Sequence, residues 1–388
     1  MARIVLAHLV EPGRRDLGVL ARAVGPVEAL ARVRGGAVPE SLHGVTAARM
    51  STLDPDRLAT RALNRAAKLD ARIIIPEDEE WPPQLEDLVA ISRATGESVD
   101  VNTDPPHALW LRGHWPLREA CERSVAVIGA RASTSYGDHV AADLAYGLAD
   151  RGWTVVSGGA FGIDAAAHRG ALAAGGRTIV VLACGIERPY PQPHKLLFDR
   201  VADSGLLVSE WPPGSDPHQH RFLVRNRVIA ALTRGTVLVE ANLRSGARQT
   251  LHRARDLGRM VMVVPGPVTS ALSAGAHEEL REPGATLVAR TDHIVEEVGR
   301  IGLDLAPVPR AAPTPRDALS PLERQVLDGV RPRKILTAEQ IAVAVGVSPR
   351  DARATLPGLE RRRFVTVDGV GYRLRRASDD KPAARRRR

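Results

Sequence analysis

Val155-Val-Ser-Gly-Gly-Ala-Phe-Gly-Ile-Asp-Ala-Ala-Ala-His168 is the stretch that decides the fold. A β-branched pair leads through Gly158, Gly159 and Gly162 into an alanine-rich run, the pattern of strand, tight turn and helix. Glycines allow close backbone approach, and the start of a helix offers unpaired N–H groups with a partial positive charge. Such a turn suits an anion, a phosphate above all. Upstream, Val125-Ala-Val-Ile-Gly-Ala-Arg131 repeats the design, followed by Ser/Thr residues and the apolar stripe Val140, Leu144, Leu148. Two anion-type turns at the carboxyl ends of successive strands predict one crevice on a doubly wound sheet.

Working outward, the alternation is regular from Ser124 to about Gly299. Strands are expected at 124–128, 153–157, 178–183, 205–209, 236–240, 260–264 and 286–288, with helices at 138–150 and 163–174. Near-continuous apolar strands separated by helices mean a parallel sheet covered on both faces. The fold class is α/β: an extended Rossmann-like sheet with a small helical N-terminal domain and a C-terminal winged helix. Residues 1–68 read as short helices, a scaffolding bundle or a helical hairpin, with Gly25-Pro26 interrupting the stripe Leu17, Leu20, Ala21, Val24. Residues 69–303 form the sheet domain, its first part irregular with short strands at 72–76 and 108–112 that extend or cover one side.

A Pro-rich spacer occupies 304–317. In 318–376, Thr337-Ala-Glu-Gln340 and Ser348-Pro-Arg-Asp351 are helix caps around a Gly346-Val347 turn, and 364–374 reads as a hairpin. Pro357-Gly358 is expected to kink or end the second of these helices. A basic tail, 377–388, closes the chain.

Charge is unevenly placed. The net charge is +9, yet residues 310–388 hold 19 Lys and Arg against 9 Asp and Glu, so the rest of the chain is nearly neutral. The excess of arginine over lysine is a habit of GC-rich coding sequence; its position is not. No apolar run reaches membrane-span length, and two cysteines, Cys121 and Cys184, make neither a disulfide framework nor a zinc site. A cytoplasmic protein without membrane attachment is expected.

The crevice does not read as a dinucleotide site. Gly129-Ala-Arg-Ala-Ser-Thr134 replaces G-x-G-x-x-G, no acidic residue follows Ser157-Gly-Gly159, and there is no Walker lysine. No cofactor, metal or catalytic group is expected. What the strand ends offer is arginine and backbone amide: Arg131, the run Phe222-Leu-Val-Arg-Asn-Arg227 ahead of an apolar helix, and Glu240-Ala-Asn-Leu-Arg-Ser-Gly246. Arginine forks suit phosphate and Phe222 offers a face for a base, which is what sequence-tolerant single-strand binding requires. Asp164 and His168 read as a helix N-terminal carboxylate and a structural histidine, Cys184 as core, and Glu240 as a partner for Arg225 or Arg227.

The chain resembles the DprA/Smf (DNA processing A) family. The resemblance rests on Val127-Ile-Gly-Ala-Arg131 with Tyr136-Gly137, Ser157 to His168, Gly185 with Tyr190-Pro191, and Ser209-Glu210. It continues in Phe222, Arg225 to Ala230, Val239 to Gly246, Gly258-Arg259 and Val264-Pro-Gly266. It implies a dimer that binds and protects single-stranded DNA and loads a RecA-type recombinase during natural transformation or recombination. It points to Arg131, Gly158, Gly159, Ala160, Gly162, Phe222 and Arg225 as the strand pocket, with Asn226 and Arg227 bracing a loop and Ser245 and Gly246 beside it; Arg248, outside the family pattern, is expected either to add a phosphate contact or to lie on a solvated helix face. Arg131→Ala and Arg225→Ala should then each weaken binding without unfolding. Two departures are Leu223, where the family usually has Pro, and Ala247-Arg-Gln-Thr-Leu251 in place of Leu-x-Thr-Ala. The alternative is a phosphoribohydrolase of the lysine-decarboxylase-like group. That group carries Pro-Gly-Gly-x-Gly-Thr and a catalytic glutamate, whereas here the comparable turn is only Val264-Pro-Gly-Pro267.

Overall fold

The structure, a computed structural model, describes residues 1–94, 102–300, 302–307 and 314–375. The middle of the Pro-rich spacer and the basic tail lie outside the described residues. The chain divides into two compact units, Met1–Pro307 and Val308–Arg388.

The first unit is built on nine strands: β1 (Ala71–Ile74), β2 (Leu109–Arg112), β3 (Ser124–Ile128), β4 (Thr154–Ser157) and β5 (Thr178–Leu182). They continue as β6 (Leu206–Ser209), β7 (Gly235–Leu238), β8 (Met260–Val263) and β9 (Ala285–Leu287). Their spatial order is β1-β2-β6-β5-β4-β3-β7-β8-β9. From β6 to β9 every pairing is parallel, while β1 and β2 add an antiparallel edge. Every residue of β3, β4, β5, β6 and β7 is buried, as the continuous apolar runs require when helices cover both faces. The chain winds outward from β3 to β6 and then returns to place β7 against the other side of β3. That reversal is the switch point at which open α/β sheets leave a crevice beyond the strand ends.

One face is covered by the Ser135–Asp150, Ile163–Ala173 and Thr291–Val298 helices around Leu144, Leu148, Val155 and Ile294. The other holds the Gln219–Leu232 and Gly246–Asp256 helices. Four N-terminal helices, Ala2–Leu9, Arg15–Arg34, Glu40–Thr52 and Pro55–Ala67, share a core with Trp110, Val180, Leu182 and Phe198 of the sheet layer. The boundary at residue 68 is therefore a change of secondary structure inside a continuous core. Gly25, with φ 77°, does break the second of these helices just before Pro26.

Polar groups fasten this N-terminal layer. Glu11 accepts from Arg221 Nη2 at 2.6 Å, Arg49 Nη2 at 3.1 Å and Trp211 Nε1 at 3.2 Å. Burial pushes its carboxyl up, but the Arg221 hydrogen bond and charge, with Trp211 and Arg49, outweigh burial and hold the pKa at about 2. A depressed carboxylate contributes stability that is complete above its unfolded value and is lost as pH falls through the folded one. Glu11→Gln should cost on the order of 2–3 kcal/mol at neutral pH. In thermal melts the gap to wild type should hold constant above about pH 5 and close toward pH 2. A gap that widened on acidification would contradict the assignment.

The second unit contains the Pro321–Gly329, Ala338–Val345 and Pro349–Arg361 helices and a hairpin of β10 (Val365–Asp368) and β11 (Gly371–Leu374). Ser320 and Thr337 each form a full capping box, and Ser348 caps the third helix with Pro349 in its first turn. Gly346 adopts the left-handed conformation that ends the middle helix. Val326, Leu327, Ile341, Leu356, Leu359 and Val365 form the core. The break expected at Pro357-Gly358 does not occur. The helix runs on to Arg361, because Leu356 and Leu359 on either side are fully buried and hold the backbone despite the missing donor.

Candidate nucleic-acid interface

At the switch point a cleft of about 460 Å³ opens beyond the carboxyl ends of the strands. The β3 turn supplies Gly129, Ala130 and Arg131, and the segment after β7 supplies Asn242, Arg244, Ser245 and Gly246. Ala160 and Asp164 come from the β4 turn, and Gln219, Phe222, Arg225 and Asn226 from the helix that closes one side. The crevice thus lies between the loops after β3 and β7, with the β4 turn as its floor. Ala130 N donates to Glu240 O at 2.7 Å and Ile163 N to Ala130 O at 3.2 Å, which ties the three turns together.

The side chains divide into exposed and committed groups. Arg131 is exposed, and its guanidinium carbon lies 4.8 Å from the centre of the Phe222 ring. Arg244 is also exposed, with its backbone N–H donated to Asn242 Oδ1. Neither side chain is in an ion pair among the described residues. Ser245 accepts from Ala247 N and so caps the Gly246–Asp256 helix, aiming a helix N-terminus at the cleft.

Arg225, expected in a loop as a strand contact, lies inside the Gln219–Leu232 helix and is only 5% exposed. Its Nη1 donates to Gly158 O at 2.8 Å and Val181 O at 2.5 Å. Burial lowers its pKa to about 10, with Asp164 opposing that and Arg131 adding to it. The guanidinium is thus a brace beneath the β4 turn, and its burial argues against the expectation that Arg225→Ala would leave the fold intact. Arg227, 1% exposed, forms a two-pronged pair with Glu210 at 2.8 Å on each prong and donates Nε to Asp104 O. Asn226 Nδ2 donates to Gly246 O at 3.3 Å, a brace across the cleft. The whole Phe222–Arg227 run is helical because its inward charges find buried partners; in sequence the same charges look like a loop.

The Gly158–Gly162 turn has the predicted form, with φ of 70° at Gly159 and 74° at Gly162. An added Cβ at Gly158 would meet the Arg225 guanidinium at 2.3 Å, and one at Gly162 would meet Ala130 O at 2.4 Å. The anion in this turn is the chain's own. Asp164 Oδ2 accepts from Ala160 N at 3.3 Å, and burial pushes its carboxyl up against the opposing charge of Arg225. Gly158, Gly159, Gly162, Arg227 and Arg248 are therefore support rather than lining. Arg248 Nε donates to the fully buried Glu279 at 2.7 Å and its Nη1 to Leu243 O at 2.7 Å, so the side chain is engaged on the protein while remaining partly exposed.

Glu240 does not orient Arg225 or Arg227. Its carboxylate accepts from Thr134 N at 2.9 Å and Thr134 Oγ1 at 2.5 Å, fixing the start of the Ser135–Asp150 helix. Gly137 is required there, since a Cβ would sit 2.2 Å from that carboxylate. His168 Nδ1 lies 2.8 Å from Thr178 Oγ1, whose own proton goes to Val155 O, so this nitrogen is the donor. Burial lowers His168 to about 3, as befits a core histidine. Cys184 is also buried. The sequence reading missed Arg244 as a cleft residue, although it stands in the quoted Ala-Asn-Leu-Arg-Ser-Gly run.

Fold and site together define a class: a Rossmann-like chain whose switch-point crevice offers arginine and a helix N-terminus instead of a dinucleotide fingerprint. A family model described as DNA recombination-mediator protein A matches residues 72–299. The chain belongs to that family of DprA/Smf DNA processing proteins. It is 46% identical over 385 residues, 98% of this chain and 95% of the relative, to a Mycobacterium tuberculosis H37Rv protein bearing the DprA name. With protein Smf of Escherichia coli K12 it shares 35% identity over 314 residues, 78% of each chain. The X-ray structure of DNA processing protein A from Streptococcus pneumoniae matches with a TM-score of 0.61 at 28% identity, covering 77% of this chain and 96% of that one. Among the described residues no helix is long and apolar enough to cross a membrane.

Proposed function

We propose that the chain binds single-stranded DNA in the switch-point cleft and, as a homodimer, delivers it to a RecA-type recombinase without itself catalysing a reaction. The observation that carries this reading is Arg131 resting on Phe222 at the mouth of a cleft that also presents Arg244 and a helix N-terminus. A cation–π contact at an exposed site is worth only about 0.5–1 kcal/mol. Arg131 can therefore move onto a phosphate and uncover the ring for a base, which joins charge neutralisation to stacking. Arg225, Asn226, Ser245 and Gly246 act as positioning residues in this scheme. Among the described residues Asp164 is the one acidic side chain lining the cleft, and it is held by the turn. The hydrolase alternative would need a free glutamate, and Glu240 is committed to Thr134. The family model's description as a recombination mediator supports the recombinase partner. The helix-cap-helix and hairpin order in the second unit supports a winged helix.

The test is the affinity of the full chain for a short oligo-dT strand and for a duplex of equal length, across a salt series. A clear single-strand preference is expected, together with faster RecA filament formation on that strand. Equal affinity for both forms would mean that only diffuse positive charge is being measured.

A further inference from the structure

Aromatic residues are scarce, 3% of the chain, so their placement is informative. The exposed Phe and Tyr side chains among the described residues are Tyr136, Tyr146, Phe161 and Tyr190. Three of these stand beyond the carboxyl ends of strands: Tyr136 after β3, Phe161 after β4 and Tyr190 after β5. Tyr136 is occupied, its hydroxyl donating to Pro265 O at 2.7 Å. Phe161 and Tyr190 remain 44% and 43% exposed. Tyr190 meets Phe222 edge to face, with centroids 5.7 Å apart and planes at 64°. Phe161 meets His194 in the same way at 4.7 Å, and His194 Nδ1 lies 3.0 Å from Gly159 O. The loop after β5 is thereby fixed to the β4 turn, and both rings are held on supported backbone beside the cleft.

Leaving two large rings in water forgoes burial that a core position would provide. The Phe222 ring that Tyr190 meets also carries the Arg131 guanidinium, and a cation beside exposed rings favours a polyanion carrying flat apolar groups over a protein surface. Resting on the single-strand reading above, we propose that Tyr190 and Phe161 form a second stacking platform. It takes the bases that follow the one on Phe222 and leads the strand out of the cleft across the β4 and β5 loops, away from the β7 side. Stacking is paid for by no counterion, so this platform adds affinity and footprint without adding to the salt dependence.

The test uses the full chain with Tyr190→Leu, Phe161→Leu and Tyr190→Phe, and with Arg131→Ala as reference, on oligo-dT of about three and about twelve nucleotides. Each leucine variant should weaken binding of the longer strand about five- to fiftyfold, leave the salt slope unchanged and scarcely affect the shorter strand. Tyr190→Phe should restore wild-type binding, because it keeps the ring. Equal loss on both lengths would overturn the proposal, since the rings would then be shaping the first site. Wild-type affinity of both leucine variants, with Arg131→Ala weakened, would overturn it while leaving the cleft reading intact. Wild-type affinity of Arg131→Ala as well would remove the cleft reading itself.

Discussion

Arg131→Ala should weaken binding to a short oligo-dT strand by about ten- to a hundredfold while leaving the protein folded. The side chain is exposed, and its one described contact is the Phe222 ring at 4.8 Å. Its removal therefore costs the fold about 1 kcal/mol or less. It costs the complex one phosphate contact, so the slope of log affinity against log salt should fall by about 0.7. Arg131→Lys separates the two contributions. It keeps a point charge, and so most of the slope, but loses the planar fork and the packing on the ring. Fluorescence anisotropy over a salt series, with thermal melts as the folding control, measures both. Duplex binding should change little by comparison. Wild-type affinity in Arg131→Ala, or an equal loss on single strand and duplex, would place the strand elsewhere.

The sequence made the sheet legible and left the crevice half-read, for a physical reason. Strands such as Val125–Ile128 and Thr178–Leu182 are buried on both faces, so composition alone marks them. The edges of elements and the parallel class follow from the same pattern. Which loops meet depends on strand order, and the return of β7 beside β3 is a long-range fact that no local pattern carries. Arg131 and Phe222 could be picked out as chemistry, yet their contact could not. Arg225 and Arg227 look alike in sequence to Arg131 and Arg244. Burial separates them, and burial is set by what other segments bring: Gly158 O and Val181 O to one, Glu210 and Asp104 O to the other. In a chain this rich in arginine, residue type says little about role until partners are known.

Arg225 is the sharpest case, because its substitution should act on the fold first. Arg225→Met removes a buried cation and leaves Gly158 O and Val181 O without their donor and Asp164 without its countercharge. Breaking such a buried arrangement from one side costs about 3–5 kcal/mol. The melting temperature should fall on the order of 5–10 °C, far more than for Arg131→Ala. Strand affinity measured on the protein that remains folded should fall as well, because the β4 turn loses its brace, but the salt slope should stay close to wild type. A true phosphate contact would lower it. Asp164→Asn combined with Arg225→Met separates the carboxylate's contribution from that of the two carbonyls. With both charges gone no buried ion is left uncompensated, so the double variant should be less destabilised than the sum of the single ones. Additive losses would show that the carbonyl contacts, not the Asp164 charge, set the need for a cation there. An undisturbed melt for Arg225→Met, with the salt slope lowered, would return Arg225 to the strand-binding role that the sequence first suggested.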